Sequence, residues 1–270
     1  AEDDVADADG IAVSPDRPML AVLRRDGDAG TSSIWLKDVD SPRVTRLTWG
    51  QTRDESPVWS PDSSRIAFSS RRNDNQGAHI VVRDLSGKEE SLLQLPDAQL
   101  TDWSRDGRFL IYSAPSPKTQ SDLWMLPMTG DKKPLPLDQS PANESQGIVS
   151  PDGRWLAYVS DQSGSNEIYL RPFPPMEGRW QVSTGGGTRP RWRDDGREIL
   201  FLSPDGEVTT VPMEVASPIP RLGTPRRLFV LDGADDFAVS GSQVIAQLPV
   251  ERASNRQLEV VLNWAAELRR

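Results

Sequence analysis

Few residues in this chain have the type and spacing that catalysis requires. Its one histidine, His79, has no second imidazole with which to build a triad or a His-rich metal site. With no cysteine there is no thiol nucleophile, thiolate ligand or disulfide. Asp7 and Asp9 before Gly10 approach a calcium loop. Val5 stands where its first ligand belongs and Asp16 where its closing Glu belongs, so the stretch reads as a solvated acidic terminus. Gly185-Gly186-Gly187 is followed by neither Lys-Ser/Thr nor a helix, and reads as a flexible connection rather than a phosphate cradle. The Gly-rich loop, His-Arg-Asp and Asp-Phe-Gly of a kinase are missing, as is the Gly-x-Ser-x-Gly elbow of a hydrolase. What remains is a recurring set of polar side chains: Arg53, Asp54 and Glu55; Gln99; Asn143, Glu144 and Gln146; Arg189; Asp235 and Asp236. Carboxylates, amides and guanidinium groups in such a mix suit recognition of a polar ligand or of a segment of a partner protein.

These residues recur because the chain repeats. Ser150-Pro151-Asp152-Gly153 is a turn, Pro151 presetting φ at its second position and Gly153 accepting the fourth. Related turns begin at Ser14, Ser60, Ser104, Arg193 and Ser240. The six starting points are 46, 44, 46, 43 and 47 residues apart. An apolar segment precedes each turn (near 11, 57, 100, 147, 190 and 237), a second strand such as Trp155–Val159 follows it, and a third lies beyond a variable loop. A fourth is legible in five repeats. Pro134 and Pro136 fall in one of these, which places it on a sheet edge where no ladder donor is needed. A further Ser203-Pro204-Asp205-Gly206 breaks the period and reads as the turn between the second and third strands of repeat five. Six units of four antiparallel strands read as a single all-β domain, a six-bladed β-propeller. No fourth strand is legible in the last unit, which either has three strands or takes its fourth from upstream of Ala1, and Ala265–Arg270 reads as a short helical tail. The acidic, Ala-rich Ala1–Gly10 is a poor candidate to complete the ring.

Composition agrees. Nine Trp, 23 Pro and 20 Gly fit many short strands and turns, and 36% hydrophobic residues fit a packed core. A net charge of −9 argues against a broad nucleic-acid surface, and no apolar run is long enough to span a bilayer.

Trp59-Ser-Pro-Asp with Ile66-Ala-Phe-Ser-Ser resembles the TolB-like, WD-repeat-like PD repeat. Asp102-Trp103-Ser104-Arg105-Asp106-Gly107-Arg108-Phe109-Leu110, Asp122-Leu123-Trp124, Tyr169-Leu170-Arg171-Pro172-Phe173-Pro174 and the ending Val260-Val261-Leu262-Asn263-Trp264 are similar to one subfamily. That subfamily is the sensor-like propeller C-terminal to bacterial serine/threonine protein kinases. The resemblance implies a non-catalytic, monomeric binding domain without cofactor or metal, on the extracytoplasmic side of a membrane-anchored protein. A TolB-like envelope scaffold that docks a protein partner is the alternative. A lyase or hydrolase working through channel carboxylates ranks last.

In a propeller the short Ser-Pro-Asp turns share one face, and the variable loops share the other with the crossings between blades. The uniform face therefore reads as structural. The ten polar residues fall on the crossings, around the mouth of the central channel, where a rigid scaffold presents recognition groups. Glu55 and Glu144 read as equivalent positions of two repeats.

Overall fold

The computed structural model describes residues 8–25, 30–72, 77–214, 219–231, 233–234, 236–241, 243–249 and 256–261. Its strands form successive units, the blades, antiparallel within each; a parallel Ser32–Arg53 bridge joins the first two into one sheet. The first holds β1 (Ala8–Val13), β2 (Met19–Arg25), β3 (Ser32–Asp38) and β4 (Val44–Arg46); the second β5 (Thr52–Trp59), β6 (Arg65–Arg72), β7 (Ala78–Asp84) and β8 (Glu89–Leu95). The third holds β9 (Gln99–Trp103), β10 (Phe109–Pro115), β11 (Ser121–Pro127) and β12 (Leu135–Asp138); the fourth β13 (Glu144–Val149), β14 (Trp155–Ser160), β15 (Glu167–Pro172) and β16 (Trp180–Gln181). The fifth holds β17 (Thr188–Trp192), β18 (Glu198–Leu202), β19 (Glu207–Glu214), a short β20 (Arg221–Leu222) and β21 (Arg226–Val230). The sixth shows β22 (Asp236–Ser240), β23 (Gln243–Pro249) and β24 (Arg256–Val261).

Ser203–Gly206 does join β18 to β19, and β12 with Pro136 is a sheet edge. Two details differ from the sequence reading. β1 reaches back to Ala8, so part of the acidic segment pairs with β2 through a bulge. β20 is an added hairpin on the end of β19. The tail Ala265–Arg270 lies outside the described residues.

Three of the turns are locked by the side chains that recur in the sequence. In Ser150-Pro-Asp-Gly the Ser150 Oγ donates to Asp152 Oδ1 at 2.5 Å and accepts the Trp155 N–H at 3.0 Å, while Gly153 N–H donates to Ser150 O. Ser60 with Asp62 and Ser104 with Asp106 repeat the clamp at 2.6 and 2.7 Å. Ser and Asp thus satisfy backbone groups that a bare turn would leave open. Gly107 and Gly153 sit at φ 75° and 70°. Ser63 takes the same place at 55°, where its Oγ accepts the Asp16 N–H of the neighbouring blade.

The blades pack through six apolar clusters, each shared by two neighbours. Trp155, Ala157 and Val159 face Trp192, Ile199 and Phe201 of blade five, whereas Leu156 and Tyr158 face Ile111 and Leu123 of blade three. Burial on both faces explains why β14 reads as a continuous apolar run, with every residue buried. The sixth cluster, of Ile11, Leu20, Val22, Ala238 and Ile245, packs the last blade on the first and closes the ring. Closure among the described residues is by side-chain packing rather than by a shared strand.

Candidate functional site

The six inner strands, β1, β5, β9, β13, β17 and β22, contact one another in succession and surround a channel. A cavity of about 640 Å³ opens at its loop face. A second, of about 580 Å³, opens at the turn face.

Six of the ten sequence-derived residues line the loop-face cavity: Arg53, Glu55, Gln99, Gln146, Arg189 and Asp236. Arg53 pairs with Glu55 at 2.6 Å, and Arg71 with Asp97 at 2.8 Å. The Arg189 N–H donates to Gln146 Oε1 at 2.6 Å, tying blade five to blade four.

The ladder explains the placement of these groups. β5, β13 and β17 each shift register in the same place, between Glu55 and Val58, Ser145 and Ile148, and Thr188 and Arg191. Within each bulge one residue is left-handed: Ser56 at φ 53°, Gln146 at 55° and Arg189 at 54°. For non-glycine residues such backbone costs on the order of 1 kcal/mol or more. All three open onto the one cavity. Each stands four residues before its turn, a spacing legible in the sequence once the turns are aligned.

Three expected residues are placed differently. Asp54 is buried behind the strand, accepting from Ser70 Oγ at 2.6 Å, and burial raises its pKa. Glu144 is wholly buried between blades three and four, where Ser140 Oγ donates to its Oε1. Burial, with like charge from Asp138 and Asp122, raises the Glu144 pKa to about 7. Glu144 Oε2 and Asp122 Oδ2 are both buried without a hydrogen-bond partner. Asn143 points away to Asp161, which it meets at 2.8 and 2.7 Å. Asp235 lies outside the described residues. The pairing also corrects the proposed equivalence. Val58 faces Ala67 as Ile148 faces Ala157, so Glu144 matches Asp54, and Glu55 matches Ser145. Counting back from the turns gives the same match, six residues for Asp54 and Glu144 and five for Glu55 and Ser145, and a slip of one residue moves a side chain from the channel to the core.

The glycine stretch is not the flexible connection expected. Gly185 and Gly186 N–H donate to Glu167 Oε1 at 2.8 and 2.9 Å. Burial acts to raise the Glu167 pKa, but these bonds and the Ser183 hydroxyl outweigh it and hold it low. The anion these amides hold is the protein's own.

Sequence reasoning missed the turn-face cavity. Asp102 lines it, accepting the Val149 N–H at 2.8 Å, and burial deep in the channel raises its pKa to about 6. Arg191 lies between the two cavities, its guanidinium on Asp236 at 2.7 Å and on Phe237 O at 2.8 Å. Both residues stand two positions before their turns, where other blades carry Ala12, Val58, Ile148 and Ala238. A charge at an apolar repeat position was the available signal. His79 sits on β7, 3.3 Å from Ser91 Oγ. Among the described residues no group of three or more His, Cys, Asp or Glu is placed to hold a metal ion, and no helix is long and apolar enough to cross a membrane.

No family model matches the chain. It is similar to the uncharacterized peptidase YuxL of Bacillus subtilis, 22% identical over 189 residues, which is 55% of this chain and 29% of that protein. Among solved structures it is similar to TolB from Acinetobacter baumannii, with a TM-score of 0.73 and 18% identity over 94% of this chain and 63% of the other. A putative TolB from Agrobacterium tumefaciens gives 0.67 and 17%, over 84% of this chain and 81% of the other. The chain thus spans under a third of the curated relative and under two thirds of the first TolB. At these identities the likeness establishes the fold: the chain is an all-β protein with a β-propeller fold.

Proposed function

We propose that this chain is a binding propeller that holds a polar ligand or a segment of a protein partner at the loop-face mouth of its channel. The observation that carries the reading is the trio Ser56, Gln146 and Arg189. Three blades each hold a left-handed, non-glycine residue in the same bulge, and all three line one cavity with Arg53, Glu55, Gln99 and Asp236. Strain repeated at one functional-looking rim is most simply explained by what the rim presents. A scaffold role like that proposed from the TolB likeness accounts for the mouth at least as well as the kinase-sensor role that the repeat motifs imply. In both, the domain sits on the extracytoplasmic side of a bacterial envelope and acts without catalysis. The curated relative is named a peptidase, but only 29% of it is spanned here, and among the described residues lining the cavity no hydroxyl is hydrogen-bonded to a carboxylate or imidazole.

The test is a photo-crosslinking amino acid at Glu55, compared with one at Lys133 on an outer edge. A partner captured from Glu55 and verified by direct binding should bind the Glu55→Ala/Gln146→Ala/Arg189→Ala variant at least tenfold more weakly. Unchanged affinity in a folded triple variant would refute the loop-face mouth. Turnover of a glycan or peptide panel would move the reading to an enzyme.

A further inference from the structure

The turn face carries a site of its own. One residue from each inner strand, two positions before its turn, lines the turn-face cavity: Ala12, Val58, Asp102, Ile148, Arg191 and Ala238. Val58, Ile148 and Arg191 line the loop-face cavity as well, so this ring is the waist between the two. Four members are apolar. The two charged ones differ in what satisfies them.

Arg191 is engaged on every side. Its guanidinium donates to Asp236 at 2.7 Å, to Phe237 O at 2.8 Å and to Pro190 O at 2.9 Å, and lies 5.6 Å from the centroid of the Phe237 ring. Asp102 has only backbone donors, the Val149 and Trp103 N–H groups. The nearby Arg105 is drawn instead to Asp194 at 2.5 Å. Capping two N–H groups does not require a charge, since an amide oxygen accepts them equally. Arg191 attracts Asp102 across the ring but donates its hydrogen bonds to Asp236 and to backbone carbonyls, which leaves the carboxylate with acceptor capacity for a donor entering the cavity.

The surroundings select the kind of cation. A hard metal ion wants about six to eight oxygens, and no cluster of acids stands here. An anion would meet Asp102 and find the Arg191 donors already committed. A primary ammonium brings three donors to the carboxylate and an alkyl stem to the apolar walls. We propose that the turn-face cavity binds a primary ammonium group, whether of a free amine or of a lysine side chain, with Asp102 as its anchor and Val58, Ile148 and Trp103 along its stem. The site is independent of the loop-face reading and lies on the face that the sequence marked as structural.

The test is calorimetric titration of the full chain with n-butylammonium chloride and, separately, with N-acetyl-lysine amide; sodium acetate is the control for anions. Saturable millimolar binding of either amine is expected. Tighter binding of the lysine derivative points to a peptide source, and equal binding to a free amine. Asp102→Asn, which keeps the acceptor for Val149 N–H, should weaken binding at least tenfold, whereas Glu90→Gln on an outer strand should not. In the wild type, indole N–H signals of Trp59, Trp103 and Trp192 should shift on titration, a readout that holds even if the Asn variant folds poorly. Absence of saturable amine binding, undiminished binding by Asp102→Asn, or shifts confined to tryptophans away from this cavity would overturn the proposal, as would acetate binding in place of the amines.

Discussion

Glu144 ties the stability of the ring to pH, and Glu144→Gln should remove that tie. In the unfolded chain this carboxyl titrates near 4.5, whereas in the fold burial first, then Asp138 and Asp122, raise it to about 7. The folded state therefore binds the proton more tightly than the unfolded one. Stability from this group is fully present below pH 4.5 and is lost as pH rises through 7. At about 1.4 kcal/mol per pKa unit, the interval corresponds to about 3 kcal/mol. Gln is isosteric, keeps an acceptor for the Ser140 hydroxyl and carries no charge at any pH. Urea unfolding of both proteins at pH 5, 6, 7 and 8 isolates the effect, because the other titrating groups cancel in the difference. The variant should match the wild type near pH 5 and exceed it by about 2–3 kcal/mol at pH 8. For a chain of 270 residues that is a rise in Tm of about 4–6 °C. Parallel pH profiles, or a variant less stable than wild type at pH 8, would refute the assignment of a neutral carboxyl to the seam between blades three and four.

Gly77→Ala should lower stability by about 2–3 kcal/mol, since its φ is +88° and a Cβ would lie 2.3 Å from Leu95 O; Gly153→Ala, at φ +70° in open space, should cost about 1 kcal/mol, and thermal unfolding of the pair checks the contrast. Trp192→Phe removes the indole N–H that donates to Ile148 O at 3.2 Å across the blade boundary, and should cost about 1–3 kcal/mol by urea unfolding.

The strand plan was open to sequence reading because it is written locally. Turn chemistry and apolar runs recur at near-constant steps, and a turn needs only residues adjacent in the chain. The misplaced Ser-Pro-Asp-Gly at 203–206 could be assigned by period alone. The site was legible only in part. The period brought the reading to one rim, where Arg53, Glu55, Gln99, Gln146, Arg189 and Asp236 line a common cavity. It did not reveal the bulges, since an extra residue in a strand leaves no mark in composition. Hence Asp54 and Glu144 were read as rim residues and are core. The glycines at 185 and 186 were read as slack because their partner, Glu167, lies on another strand.

By itself, then, the sequence determined a repeating all-β ring with one uniform and one variable face, because turns and strand burial depend on neighbours in the chain. The tertiary structure decided which side of each inner strand faces the channel, and so which charges meet there. A one-residue register shift reverses a side chain, and ladder pairing alone sets that register. It also converted the uniform face from punctuation into a cavity with a carboxylate at its waist, since Asp102 acquires meaning only beside Val58, Ile148 and a fully engaged Arg191 from three other blades.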